Sequence, residues 1–196
     1  MKPLNTIVSA VVMSLSALLG LPVVADAADA GKYIIDQDHS GISFSVSHMG
    51  YSDLQGRFNK MEGKFTLNPG KKSTLELVIK TASVDSNHDK RDKHLRSPDF
   101  LNSKRYPEMK FNASDVKFNA KGEVVKIMGS LTLHGKTRPV TLNVTPMRAA
   151  KDPWGNYRAG YVASATIKRS DFGMNFMQDG IGDNIALNIS IEAIKQ

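Results

Sequence analysis

The feature that most constrains this chain is a two-residue alternation of apolar and polar side chains. Ile42, Phe44, Val46 and His48 alternate with Ser43, Ser45 and Ser47. Successive side chains of a strand point to opposite faces, so this is the pattern of a half-buried strand. The same period returns in Met61, Gly63, Phe65 and Leu67, in Leu75, Leu77 and Ile79, and in Met109, Phe111 and Ala113. It continues in Val125 to Leu133, in Val140, Leu142 and Val144, in Tyr157 to Ile167, and in Ile185 to Ile191. Turn residues separate these runs, as in Asn68-Pro69-Gly70, His134-Gly135 and Asp152-Pro153-Trp154-Gly155. The count is about eight or nine strands joined by short turns. A meander of that many twisted strands must close or split into two sheets. The expectation is therefore an all-β fold, an antiparallel eight-stranded barrel. Such a barrel is filled by side chains or holds one small ligand. Phe58 has the opposite parity to Met61, which predicts a bulge near Asn59 and Lys60.

The alternation breaks once, between Thr81 and Phe111, where charges crowd together. A helical crossing segment is expected near residues 86–105. Asp89 to Leu95 supports only a short surface helix. Ser97 before Pro98 is a helix-start signal, and Tyr106 precedes a proline and should be extended. Phe100 and Leu101 are the apolar residues that would dock this segment. With a barrel on both sides, it is expected to lie across one end as a lid. Phe100 and Leu101 would gate that end, and Arg91, Asp92, Arg96 and Asp99 would pin it through ion pairs.

The first residues carry a separate signal. Lys2 precedes an uncharged run from Pro3 to Val24, followed by Ala25-Asp26-Ala27 and Ala28-Asp29-Ala30. That is the layout of a cleaved signal peptide over residues 1–27. It leaves one exported domain, residues 28–196. The chain has no cysteine, so its core alone must hold it. The net charge of +7 comes mostly from scattered basic residues mixed with acids. Lys90, Arg91, Lys93, Arg96, Lys104 and Arg105 do cluster, but only Phe100 and Tyr106 interleave and three Asp dilute them, so no nucleic acid is expected.

No nucleophile motif, phosphate loop or dinucleotide fingerprint is present. His88 and His94 flank Asp89 and Asp92, which keeps a metal-assisted enzyme as an alternative, although no tight ligand spacing accompanies them. The apolar faces carry more information. Small residues at Ala159, Ala163, Ala165 and Gly129 leave space inside a barrel, and flexible Met side chains suit a wall around a variable apolar guest. An ordinary packed core explains the same faces, so a ligand cavity and a filled barrel both stay open on composition alone. The candidate wall by strand parity is Phe44, Val46, His48, Phe58, Met61, Phe65, Leu77, Phe100, Met109, Phe111, Ile127, Leu131, Leu142, Tyr161, Ile167, Phe172 and Met174. His48 shares the apolar parity of its strand, which predicts a partly buried imidazole.

Several pieces, taken in order, resemble the YceI-like family. They are Asp36-x-x-His39-Ser40, Phe44-x-Val46-x-His48-Met49, Ser83-Val84-Asp85, and Arg91-Asp92-x-His94-Leu95-Arg96-Ser97-x-Asp99-Phe100. Tyr106-Pro107-x-Met109-x-Phe111, Gly129-x-Leu131-Thr132-Leu133-His134-Gly135, Arg138-Pro139-Val140 and Arg169-Ser170-Asp171-Phe172-Gly173-Met174 follow. The resemblance runs from about Tyr33 to Ile194. It implies a lipocalin-like barrel exported to the periplasm that binds or sequesters a long polyisoprenoid lipid, such as a prenyl quinone, without catalysis. It implies no cofactor. Transient membrane contact, a homodimer and an envelope stress role at the protein surface stay open beside it.

Overall fold

The computed structural model describes residues 27–196. Nearly all of the expected leader therefore lies outside the described residues. The strands are β1 (Gly31–Ile35), β2 (Gly41–His48), β3 (Ser52–Phe58), β4 (Met61–Leu67), β5 (Thr74–Lys80), β6 (Val84–Asp85), β7 (Glu108–Phe118), β8 (Val124–Leu133), β9 (Lys136–Lys151), β10 (Tyr157–Lys168) and β11 (Ile181–Lys195). The single α-helix among the described residues is α1 (Asp89–Leu95).

Three pairs of these strands are halves of longer staves. β1 and β2 lie end to end along β11, with Tyr33 opposite Lys195 and Ile42 opposite Ile189. β3 and β4 continue one another beside them, and β5 and β6 form the next pair. From there β7, β8, β9, β10 and β11 pair in chain order, and β11 returns to β1. The result is a closed eight-stranded antiparallel barrel in up-and-down order. The ring closes through the pairing of β11 with β1, the staves being twisted.

The breaks inside the staves are stitched by specific atoms. Ser40, between β1 and β2, donates its hydroxyl to the Glu192 carbonyl and accepts from the Glu192 N–H. At the step between β3 and β4, the Asn59 N–H donates to the Ser83 carbonyl, and the Lys80 N–H donates to that of Lys60. This step at Asn59–Lys60 sits where the parity change predicts a bulge. It lets Phe58 and Met61 both turn inward and be buried.

The interior differs along the axis. Towards the chain termini aromatic rings fill much of it. Tyr33 stacks on Phe65 at 4.9 Å between ring centroids, and Phe65 meets the edge of Tyr161 at 5.9 Å. The Tyr33 hydroxyl donates to the Asp29 carbonyl, 2.7 Å. Burial pushes the Tyr33 and Tyr161 phenols above their ordinary range. Gly129 is not empty space, contrary to expectation. The Phe111 ring lies over it, and a Cβ there would stand 2.6 Å from Cζ of that ring. Gly56 accepts the Phe44 ring in the same way. These glycines leave room for large rings against the wall, so their space is filled.

At the other end the sheet is incomplete. β6 has two residues and pairs only with β3, whereas β7 begins lower, at Glu108 opposite Lys80. Thr81, fully buried, joins the two: its N–H donates to the Pro107 carbonyl and its hydroxyl to that of Tyr106. The crossing between Ser86 and Pro107 occupies the missing part of the wall and roofs this end.

Candidate functional site

Alternation puts apolar residues inside every stave, but the larger hollow lies at the roofed end. A cavity of about 450 Å³ opens there. Its walls come from β2 (Phe44, Val46, His48), β3 (Leu54, Phe58), β6 (Val84), β7 (Met109), β8 (Leu133), β10 (Ile167) and β11 (Ile181, Ile185, Leu187). Its roof comes from Arg91, His94 and Leu95 of α1, Phe100 and Leu101 beyond it, and Met174, Phe176 and Met177 before β11. The lining contains two Arg and two His, and no Asp or Glu. A second, smaller chamber of about 60 Å³ lies at the filled end, walled by Phe65, Leu77, Ile127, Leu142, Ala163 and Tyr161 among others. Met61, Ile79, Phe111 and Leu131 are buried and face neither chamber, so they form a waist between the two.

The sequence-predicted wall thus divides. Phe44, Val46, His48, Phe58, Phe100, Met109, Ile167 and Met174 line the large cavity. Phe65, Leu77, Ile127, Leu142 and Tyr161 line the small chamber. Phe111 and Leu131 belong to the waist, Phe172 is fully buried beneath the loop before β11, and Met61 borders an outer crevice. His48 differs from expectation, for its imidazole is exposed at the rim. The candidate wall omitted Leu54, Leu133, Ile185 and Leu187, which share the inward parity of their strands, and Val84, Leu101, Phe176 and Met177, which lie in a two-residue strand and in loops with no period to read.

The roof is held by hydrogen bonds to backbone, not by the expected ion pairs. His88 caps α1 by accepting from the Arg91 N–H, 3.3 Å. Asp92 is buried and accepts from the N–H and hydroxyl of Ser86. Arg91 donates to the Ser86 hydroxyl at 2.8 Å and to its carbonyl at 2.6 Å. Arg96 donates to the carbonyls of Ala82 and Val84. These charged groups satisfy a strand end whose carbonyls have no partner strand, a more directional use than a surface ion pair. Asp99 instead pairs with His94, 2.9 Å. Ser97 accepts from the Asp99 N–H in a turn and starts no helix.

The opposite lip is organised by Arg169. It is 2% exposed and donates to four carbonyls, those of Met174, Phe176, Ile181 and Gly182. Its guanidinium thereby fixes the whole loop between β10 and β11. Desolvation pulls its pKa below the ordinary arginine value, opposed by the charge of Asp183. Asp183 itself accepts from the Ser170 N–H and hydroxyl. The two lips meet in an aromatic cluster. His94 stands edge-on to Phe100 at 4.9 Å and to Phe176 at 5.2 Å, and Phe100 meets Phe176 at 5.4 Å.

His88 and His94 are engaged in capping and in this cluster. Among the described residues, the one trio of metal-type ligands in mutual reach is Asp36, His39 and Glu192, on the outer surface. There Arg158 already supplies the cation. Its guanidinium contacts Asp36, Glu192 and Asp152, and holds the Asp36 and Asp152 carboxyls down at about 2.

A YceI-like domain profile matches residues 33–193. The chain belongs to the YceI-like family. A UPF0312 protein of Shewanella denitrificans is 45% identical over 186 residues, covering 93% of this chain and 95% of that one. The YceI protein of Campylobacter jejuni is 30% identical, with a TM-score of 0.65 over 76% of this chain and 90% of that one. A polyisoprenoid binding domain from Saccharophagus degradans, 16% identical, shares the fold with a TM-score of 0.66 over 84% and 98% of the two chains.

Proposed function

We propose that this protein is a periplasmic carrier or sequestering protein for a long-chain polyisoprenoid lipid, such as a prenyl quinone, and that it does no catalysis. The observation that carries this reading is the apolar cavity of about 450 Å³ at one end of a closed barrel. That volume suits a ligand of modest size. Each methylene-sized group it takes from water contributes about 0.8 kcal/mol, less the cost of ordering a flexible chain. The polyisoprenoid binding domain from Saccharophagus degradans supports the choice of ligand class, since it has this fold.

The arrangement of the walls supports a polarity for the bound lipid. The deep walls are Leu, Ile, Met and Phe, whereas Arg91, His94 and His48 stand at the roof and rim. The tail therefore points towards the waist and the polar head towards the mouth. A long tail must pass Met61, Phe111 and Leu131 to use the second chamber. The test is native mass spectrometry of the gently purified protein, followed by titration with a prenyl quinone. One lipid per barrel is expected. A protein that carries no lipid mass and takes up no quinone would overturn the reading.

A further inference from the structure

The mouth of the cavity has an outer surface that the carrier reading does not use. Two loops flank it, one between β2 and β3 and one before β11. The Met49 N–H donates to the Gly180 carbonyl and joins them. Tyr51 is 88% exposed, Met49 52%, Met177 47% and Phe176 39%. Met49 and Met177 sit at positive φ, 52° and 51°, on turns tied by hydrogen bonds at Tyr51 and Ile181. The apolar tips are therefore presented by fixed turns rather than by frayed chain. Phe176 and Met177 also line the cavity, so the exposed patch and the cavity wall are one continuous apolar surface.

Basic side chains outnumber acidic ones on the roof beside the patch, where Asp89, Asp92 and Asp99 stand among six Lys and Arg. Lys90, Arg91, Lys93, Arg96, Lys104 and Arg105 all belong to the roof segment. None of them forms an ion pair among the described residues. Lys90, Lys93, Lys104 and Arg105 are exposed and stand within sixteen residues of one another on this one segment. Exposed aromatic and Met side chains beside the exposed cations Lys90, Lys93, Lys104 and Arg105 match an anionic bilayer. The apolar tips would enter the headgroup boundary and the cations would meet lipid phosphates.

We infer that the mouth end docks onto anionic phospholipid membrane, with Tyr51, Met49, Phe176 and Met177 inserted, so that lipid passes between bilayer and cavity without crossing water. The inference rests on the carrier reading for its purpose but not for its test. The experiment is co-flotation of the full mature chain with vesicles of phosphatidylcholine alone or mixed with phosphatidylglycerol. Loading with solubilised prenyl quinone is measured separately in detergent. The expected result is flotation only with the anionic vesicles, weakened by salt and lost at least tenfold in the Tyr51→Asp/Met177→Asp variant and in Lys90→Glu/Lys93→Glu. Trp154→Asp serves as a control for the opposite end, where Trp154 is 81% exposed, and should float like the wild type. Docking is overturned if the wild type ignores anionic vesicles, or if Trp154→Asp impairs flotation as much as the mouth variants. Loading in detergent without flotation would sink docking alone. Flotation without loading would support docking and sink the carrier reading.

Discussion

The two ends of this barrel use the same alternating strands to opposite effect. At the terminal end, Tyr33, Phe65 and Tyr161 stack across the interior, and small residues such as Ala163 and Ala193 let the staves close on them. At the mouth end, β6 stops after two residues and a charged crossing stands in for the missing strand. A roof segment does not fill a barrel as strand side chains do, since Leu95, Phe100 and Leu101 are the only apolar side chains it brings to the cavity, beside Arg91 and His94. The difference teaches that the hollow arises from an interruption of the sheet. It does not arise from small side chains in the strands.

The waist separates the ends, and removing it should have the largest effect. Phe111→Ala deletes a buried ring that covers Gly129 and should cost about 3–5 kcal/mol in chemical denaturation. It should also join the chambers, so that the longest tail accepted in a titration series increases. If tail-length preference is unchanged, the chambers do not communicate.

Next comes the lip. Arg169→Met removes the donor shared by four carbonyls and should cost about 2–3 kcal/mol. Hydrogen exchange should then speed up across residues 173–182 while the Tyr33–Phe65 end stays protected. Uniform loss of protection would contradict the division into two ends.

A smaller effect is expected at the roof. Phe100→Ala removes ring contacts to His94 and Phe176, each worth about 0.5–1.5 kcal/mol. Release of a fluorescent prenyl lipid should quicken by about tenfold. Unchanged release would make the crossing a fixed cap and not a gate.

The smallest effect belongs to the outer surface away from the mouth. Arg158 holds Asp36 and Asp152 at about 2, below the unfolded carboxyl value of about 3.9. A carboxyl that binds its proton less readily when folded stabilises the fold above that unfolded value. Its contribution fades as pH falls towards 2. Arg158→Met should therefore lower the melting temperature at pH 6 and flatten its fall between about pH 4 and 2. The cavity should load as before.

The barrel was legible in the sequence because burial on one face forces a two-residue period, and the period names the inward residues stave by stave. Even the step at Asn59–Lys60 is visible, as the parity change between Phe58 and Met61. The cavity was less legible. Parity places Phe44 and Phe65 on the same inward surface, yet one lines the large cavity and the other stacks on the floor. Which of two inward rings meets empty space depends on what lies across the barrel, and no local pattern records that. Arg91 and Arg96 show a similar limit. Charge crowding suggests ion pairs, whereas the strand end they cover has unpaired carbonyls that bind them first.

The central claim is that the mouth chamber is required to hold the lipid and the terminal chamber is not. The direct measurement is quinone binding to two cavity-filling variants, checked for unchanged folding by circular dichroism. Val46→Trp fills the mouth chamber and Ala163→Leu fills the terminal one. The account predicts that Val46→Trp abolishes the one-to-one lipid adduct while Ala163→Leu keeps it for short-tailed quinones. Full binding by Val46→Trp, or loss only in Ala163→Leu, would contradict it.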